Sequence, residues 1–85
     1  MHWIKEVRYL REYKLEIIFD DDYIKIIDIK YFIGGNGVFK ELKDIEYFRK
    51  VKKDPYSNTI CWPNGADICP DVLYEIGKTI EYVKD

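Results

Sequence analysis

The sequence predicts an α+β domain: an N-terminal three-stranded antiparallel meander, a short helix, a β-hairpin around Trp62-Pro63-Asn64-Gly65, and a C-terminal helix. Three observations carry this expectation. Tyr13, Leu15, Ile17 and Phe19 alternate with Lys14, Glu16 and Ile18, the period of a strand. An Asn-Gly pair, which tolerates the positive φ of a tight turn, separates the strand-like runs Thr59–Trp62 and Ala66–Ile68. Pro70 suits the first turn of a helix, and Val72, Leu73, Ile76, Ile80 and Val83 follow at helical spacing.

Taken in order, residues 3–10 mix polar and apolar side chains as a half-exposed strand does. Residues 13–19 and Tyr23–Ile29 are two β-rich runs joined by Asp20-Asp21-Asp22, so with the first strand they make a meander. Asp enters the left-handed region by bonding its own backbone, which lets this loop form without Gly. Gly34-Gly35-Asn36-Gly37 is a flexible connection. It is not a phosphate loop, since no Gly-Lys-Ser/Thr follows. Asp44 is placed to cap a helix over Ile45–Val51, with Ile45 and Phe48 on one face. Asp54-Pro55-Tyr56-Ser57-Asn58 is a loop by composition. Gly77 weakens the last helix by about 1 kcal/mol relative to Ala, and the helix ends or bends there before a tail over 77–85.

Eighty-five residues fit one domain spanning 1–85, and 47% hydrophobic and 16% aromatic content supplies a core. No apolar run reaches the ~18 residues of a membrane span. The opening Met-His-Trp-Ile-Lys-Glu lacks the basic and apolar blocks of a signal peptide, so a cytoplasmic location is the expectation. Cys61 and Cys69 are not in Cys-x-x-Cys spacing and His2 is the single histidine, so neither a metal site nor a cofactor is expected. The compartment favours two small semi-buried thiols over a disulfide. Asp20, Asp21 and Asp22 are consecutive and cannot all point at one ion. With His2 at a mobile terminus and no basic partner near either cysteine in sequence, no nucleophile–base pair suggests itself. The expectation is a protein that is not an enzyme.

Net charge is −2, which argues against non-specific nucleic-acid binding and makes binding by this chain on its own unexpected. The basic run Arg49-Lys50-Val51-Lys52-Lys53 is the exception. It reads first as a solvated strand edge, where lysine discourages aggregation, and second as a nucleic-acid contact through Arg49, Lys50, Lys52 and Lys53.

The order of motifs resembles the bacterial domain-of-unknown-function family 2442 over nearly residues 5–76. It is carried by a hairpin ending near Asp28, by Phe39-x-x-Leu42-x-Asp44 with Phe48, and above all by Trp62-Pro63-Asn64-Gly65-x-Asp67-Ile68-x-Pro70-Asp71-x-Leu73-Tyr74. The resemblance implies a small α+β protein. Some members precede a helix-turn-helix domain, and others look like partners of a second small protein in pairs suggestive of toxin and antitoxin. This chain has Asp22 where Gly commonly ends the first turn, no helix-turn-helix extension, and its own tail past Ile76.

Trp62, Asn64, Asp67 and Tyr74 are the candidate binding residues, because Trp anchors interfaces and a tight turn presents polar groups. The competing role is architectural: Trp62 caps the core and Asn64-Gly65 makes the turn. Eight tyrosines, Tyr9, Tyr13 and Tyr23 among them, supply amphipathic surface, and edge strands of a small sheet can pair across a twofold axis. The function expected is a non-catalytic protein-interaction module, an accessory or antitoxin-like subunit that binds a small protein partner or itself. The alternative is a nucleic-acid-associated regulator using Arg49–Lys53.

Overall fold

The computed structural model describes residues 2–33 and 37–82, with 79–82 by their backbone alone. Gly34, Gly35, Asn36 and Val83, named above, lie outside the described residues. The meander is present as β1 (Ile4–Arg11), β2 (Lys14–Phe19) and β3 (Tyr23–Asp28), paired antiparallel in that order. In the turn between β2 and β3 the Asp22 N–H donates to the Phe19 carbonyl at 2.9 Å, and Asp22 takes φ 70°. The acidic loop thus places Asp in the left-handed region that Gly would occupy more cheaply.

Two 3-10 segments, Ile29–Phe32 and Gly37–Lys43, carry the chain away from the sheet, and α1 (Ile45–Phe48) follows. Asp44 caps α1 by accepting from the Glu46 N–H at 3.0 Å. The helix is one turn long and stops short of the expected Val51, because Lys52 and Lys53 are drawn into β4 opposite Cys61 and Ile60. β4 (Lys52–Lys53), β5 (Ile60–Cys61) and β6 (Asp67–Ile68) form a second antiparallel sheet.

Of the expected helical tail over 77–85, residues 83–85 lie outside the described residues, and the described part is not helical. α2 spans Pro70–Ile76, and β7 (Lys78–Tyr82) then pairs antiparallel with β3, giving a four-stranded sheet in the order β1-β2-β3-β7. Without β7, the backbone groups along that side of β3 would lack partners, and Thr79, Ile80 and Tyr82 are strand-forming types. Ile76 and Ile80 misled because a spacing of four fits both a helix and a strand. Gly77 ends the helix by donating to the Leu73 carbonyl at 2.9 Å and turning extended.

Among the described residues, thirteen buried ones form one cluster, in which Ile4, Leu15, Ile17, Phe19 and Ile27 of the large sheet meet Leu42, Phe48, Ile60, Trp62 and Leu73. All five sheet residues point the same way. The shortest extent of the molecule is 19 Å, room for two layers at the roughly 10 Å spacing of packed sheets.

A Cβ on Gly77 would lie 2.9 Å from Ile27 Cγ1, 2.9 Å from the Leu73 carbonyl and 3.1 Å from Lys25 Cβ. Gly77→Ala is therefore expected to cost about 1–3 kcal/mol through overpacking. A lower urea midpoint checks this, and an unchanged midpoint would show that α2 and β7 do not meet β3 this closely.

Candidate interaction surface

Local chemistry makes the Trp62 turn a folding device. Trp62 is 2% exposed, and its indole Nε1 donates to the Phe48 carbonyl at 2.9 Å. The Gly65 N–H donates to the Trp62 carbonyl and the Trp62 N–H to the Ala66 carbonyl, both at 2.9 Å, which closes a three-residue loop. Gly65 alone in this loop has positive φ, at 90°, so the left-handed position is the third loop residue and Asn64 does not share it. The Asn64 side chain is fully used. Its amide donates to the Val38 carbonyl at 2.9 Å and to Glu41 at 3.1 Å, while its oxygen accepts from the Ala66 N–H at 3.0 Å. Asp67 is exposed beside a shallow groove lined by Lys52, Asp54, Tyr56 and Pro63. Cys61 and Cys69 are both free thiols, and Cys69 is exposed where a semi-buried thiol was expected. Cys61 lies opposite Asp67, so the two cysteines are not facing partners in the ladder. Burial, and then the nearby Asp54 charge, pushes the Cys61 thiol up from its ordinary value.

Tyr74 belongs to a different cluster, and the structure does not bring it to Trp62, Asn64 or Asp67. Its hydroxyl donates to Asp21 at 2.6 Å. The His2 ring stacks on it at 3.7 Å with planes 7° apart, and Lys25 Nζ lies 3.6 Å from the ring centre. Both cannot share one face, so the phenol is sandwiched. His2 is held in place, contrary to the expected mobile terminus: its N–H donates to Asp71 at 2.7 Å and its Nδ1 lies 3.1 Å from Asp20. The hydrogen bond to Asp21 pushes the Tyr74 hydroxyl up to about 12. Burial opposes ionisation of Asp21, but hydrogen bonds from Tyr74 and the Tyr23 N–H, with the His2 charge, hold its carboxyl below the usual range.

Arg49 lies over Tyr9 at 5.2 Å and Lys50 over Tyr47 at 5.4 Å, while Lys52 and Lys53 sit on β4. Among the described residues, no helix is long and apolar enough to cross a membrane, and no group of three His, Cys, Asp or Glu is placed to hold a metal.

The surface that stands out is the outward face of the four-stranded sheet. An antiparallel sheet covered on one side normally presents polar residues to water on the other. Here Ile18 and Ile24 face each other across β2 and β3, and Ile26 lies opposite Glu16. These residues alternate with the inward Ile17, Lys25 and Ile27, so they lie on the outward side, where Ile18 and Ile26 are half-buried and Ile24 is buried. Trp3, 48% exposed, precedes the inward Ile4 and lies at the rim of the same face. The Glu6, Arg8 and Glu16 side chains line a shallow hollow beside Ile18, with Arg8 bonded to Glu16 at 3.1 Å. Sequence reasoning passed over these residues, although the signal was present: isoleucine occupies phases where the strand alternation calls for polar side chains.

The chain matches the family described as protein of unknown function, DUF2442, over residues 4–79. It belongs to the DUF2442 family. The match extends past the expected residue 76, so the start of β7 is part of the family's domain and not an addition of this chain. No curated protein and no solved structure matches this DUF2442 chain.

Trp62→Ala is expected to cost about 3–5 kcal/mol, a large share of the roughly 5–15 kcal/mol that holds a small domain together. Asp67→Ala is expected to stay within about 0.5 kcal/mol. Thermal melts followed by circular dichroism separate the two, and equal melting temperatures would remove the architectural role of Trp62. A second prediction concerns pH. Tyr74 keeps its proton to a higher pH when folded than when unfolded. Its contribution to stability is therefore complete below the ordinary tyrosine pKa of roughly 10 and is lost as pH rises towards about 12. Asp21 has the opposite sense, stabilising above the ordinary carboxylate value and losing that contribution as pH falls through its depressed pKa. An ultraviolet titration is expected to show one late-ionising tyrosine that Asp21→Asn returns towards the ordinary value.

Proposed function

We propose that this DUF2442 chain is a cytoplasmic, non-catalytic protein-interaction module, an accessory or antitoxin-like subunit that docks another polypeptide on the open face of its four-stranded sheet. One observation carries the reading: Trp3, 48% exposed, and the half-buried Ile18 and Ile26 lie with the buried Ile24 on the outward side of a sheet whose opposite side already holds the core. Water gains nothing from an isoleucine pair at the middle of an antiparallel sheet, and a contiguous apolar patch bordered by charge is the usual anatomy of a binding surface. Trp3 has the size and rim position of an anchor. The turn residues Trp62 and Asn64 support the reading indirectly, since both are committed to folding and leave recognition to other residues.

Affinity purification of the tagged chain, expressed beside its untagged copy in the native host, tests this. A stoichiometric polypeptide is expected to co-purify, identified by mass spectrometry, and to be lost with Ile18→Glu while Asp67→Ala retains it. Recovery of the tagged chain alone at native expression would sink the proposal.

A further inference from the structure

We propose that His2, Asp20 and Asp71 form a clasp that fixes the direction of Trp3 at the rim of the sheet, acting as positioning residues for docking. The inference rests on the reading above that the outward face takes up a polypeptide, and it names what orients the anchor.

The start of the chain is held from three sides. The Asp20 N–H donates to the Trp3 carbonyl at 2.9 Å, and Asp20 Oδ1 accepts from the Trp3 N–H at 3.3 Å. These two bonds add a rung to the β1–β2 ladder beyond the pair Ile4 and Phe19, with a carboxylate standing in for a carbonyl. One residue on, the Ile4 N–H donates to the Asn58 carbonyl at 2.9 Å, and the Ile4 side chain is fully buried. One residue back, the His2 N–H donates to Asp71 at 2.7 Å, and its Nδ1 lies 3.1 Å from the same Asp20 oxygen. The His2 ring rests on Tyr74 at 3.7 Å, and Tyr74 in turn meets the core residue Phe19 at 5.0 Å. Chain ends fray unless tied down, and this one is tied at three consecutive residues.

The side chain that the clasp delivers is the one left open. Trp3 is 48% exposed, and among the described residues no hydrogen bond or ring contact engages its indole. Trp3 precedes the inward Ile4, so fixing its backbone sets a large ring with two rotatable bonds on the outward side. Closing the end of the core needs the His2 ring on Tyr74. It does not need the bond from the Trp3 N–H to Asp20, which is exposed and which water would serve as well. That bond holds the backbone from which the indole projects. A rigidly mounted aromatic loses less freedom on binding than one on a frayed end, which is how preorganisation strengthens a complex.

Backbone amide relaxation of the purified full-length chain, measured by NMR, tests the clasp. The Trp3 amide is expected to show an order parameter near the rigid value of about 0.85, falling below about 0.6 in Asp20→Ala with the far-ultraviolet spectrum unchanged. His2→Ala, which leaves the turn intact, is expected to loosen the same amide. Asp20→Asn keeps an acceptor oxygen and is expected to stay rigid. A wild-type Trp3 amide below about 0.6 overturns the proposal, as does one that neither Asp20→Ala nor His2→Ala loosens. The polypeptide recovered with the wild-type chain is then titrated. Its affinity is expected to fall about tenfold with Asp20→Ala, the effect of re-ordering one residue on binding, and further with Trp3→Ala. A loosened Trp3 amide with unchanged affinity overturns the positioning role and leaves the docking reading in place. A wild-type chain that recovers no polypeptide removes the docking reading, and the positioning role with it, even where the amide is rigid.

Discussion

The contact between Trp62 and Phe48 ties the small sheet to the large one. Trp62 follows β5 in the small sheet, donates its indole N–H to the Phe48 carbonyl, and sets its ring 5.7 Å from the Phe48 ring. Phe48, fully buried on α1, in turn receives the edges of Tyr9 and Tyr13 from the large sheet at 6.0 and 5.3 Å. A two-residue strand such as β5 or β6 has too few hydrogen bonds to stand alone, so the small sheet persists through its packing. The aromatic chain from Trp62 through Phe48 provides that packing, with the indole N–H satisfied in the interior, where an unpaired donor would be costly.

Placing every covering element on one side of the large sheet has two consequences. The inward side is so complete that Lys25, 7% exposed, must find partners inside it, and it does so by donating to the Tyr74 carbonyl at 2.6 Å and lying against the Tyr74 ring. That requirement fixes Tyr74, and Tyr74 with Asp20 and Asp71 then fixes His2. The outward side carries the half-buried Ile18 and Ile26 beside the buried Ile24. The polar network at one end and the apolar strip on the back both follow from one-sided burial.

The meander was legible because Leu15, Ile17 and Phe19 recur at the strand period and Asp20–Asp22 can only be a turn. The Asp44 cap and Pro70 in the first turn of α2 were legible for the same local reason, since each residue acts on its own helix. The candidate site was read less well. Trp62 and Asn64 were visible as unusual chemistry, yet their partners, Phe48 and Val38, lie 14 and 26 residues away and turn both side chains to architecture. Tyr74 was grouped with them by its place in a motif and sits in another cluster. Ile18 was visible as a break in alternation, but only the finished sheet showed that Ile24 stands beside it.

By itself the sequence determined the local elements: strand periods, turn chemistry, helix starts, and a composition able to build one core. The tertiary structure decided the fate of residues 78–82 and the meaning of the outward isoleucines. Spacings of four residues fit helix and strand alike, so the choice for β7 fell to the open side of β3, whose backbone groups needed partners. Which face of a sheet is buried is likewise a property of everything packed against it, and no single strand carries that information.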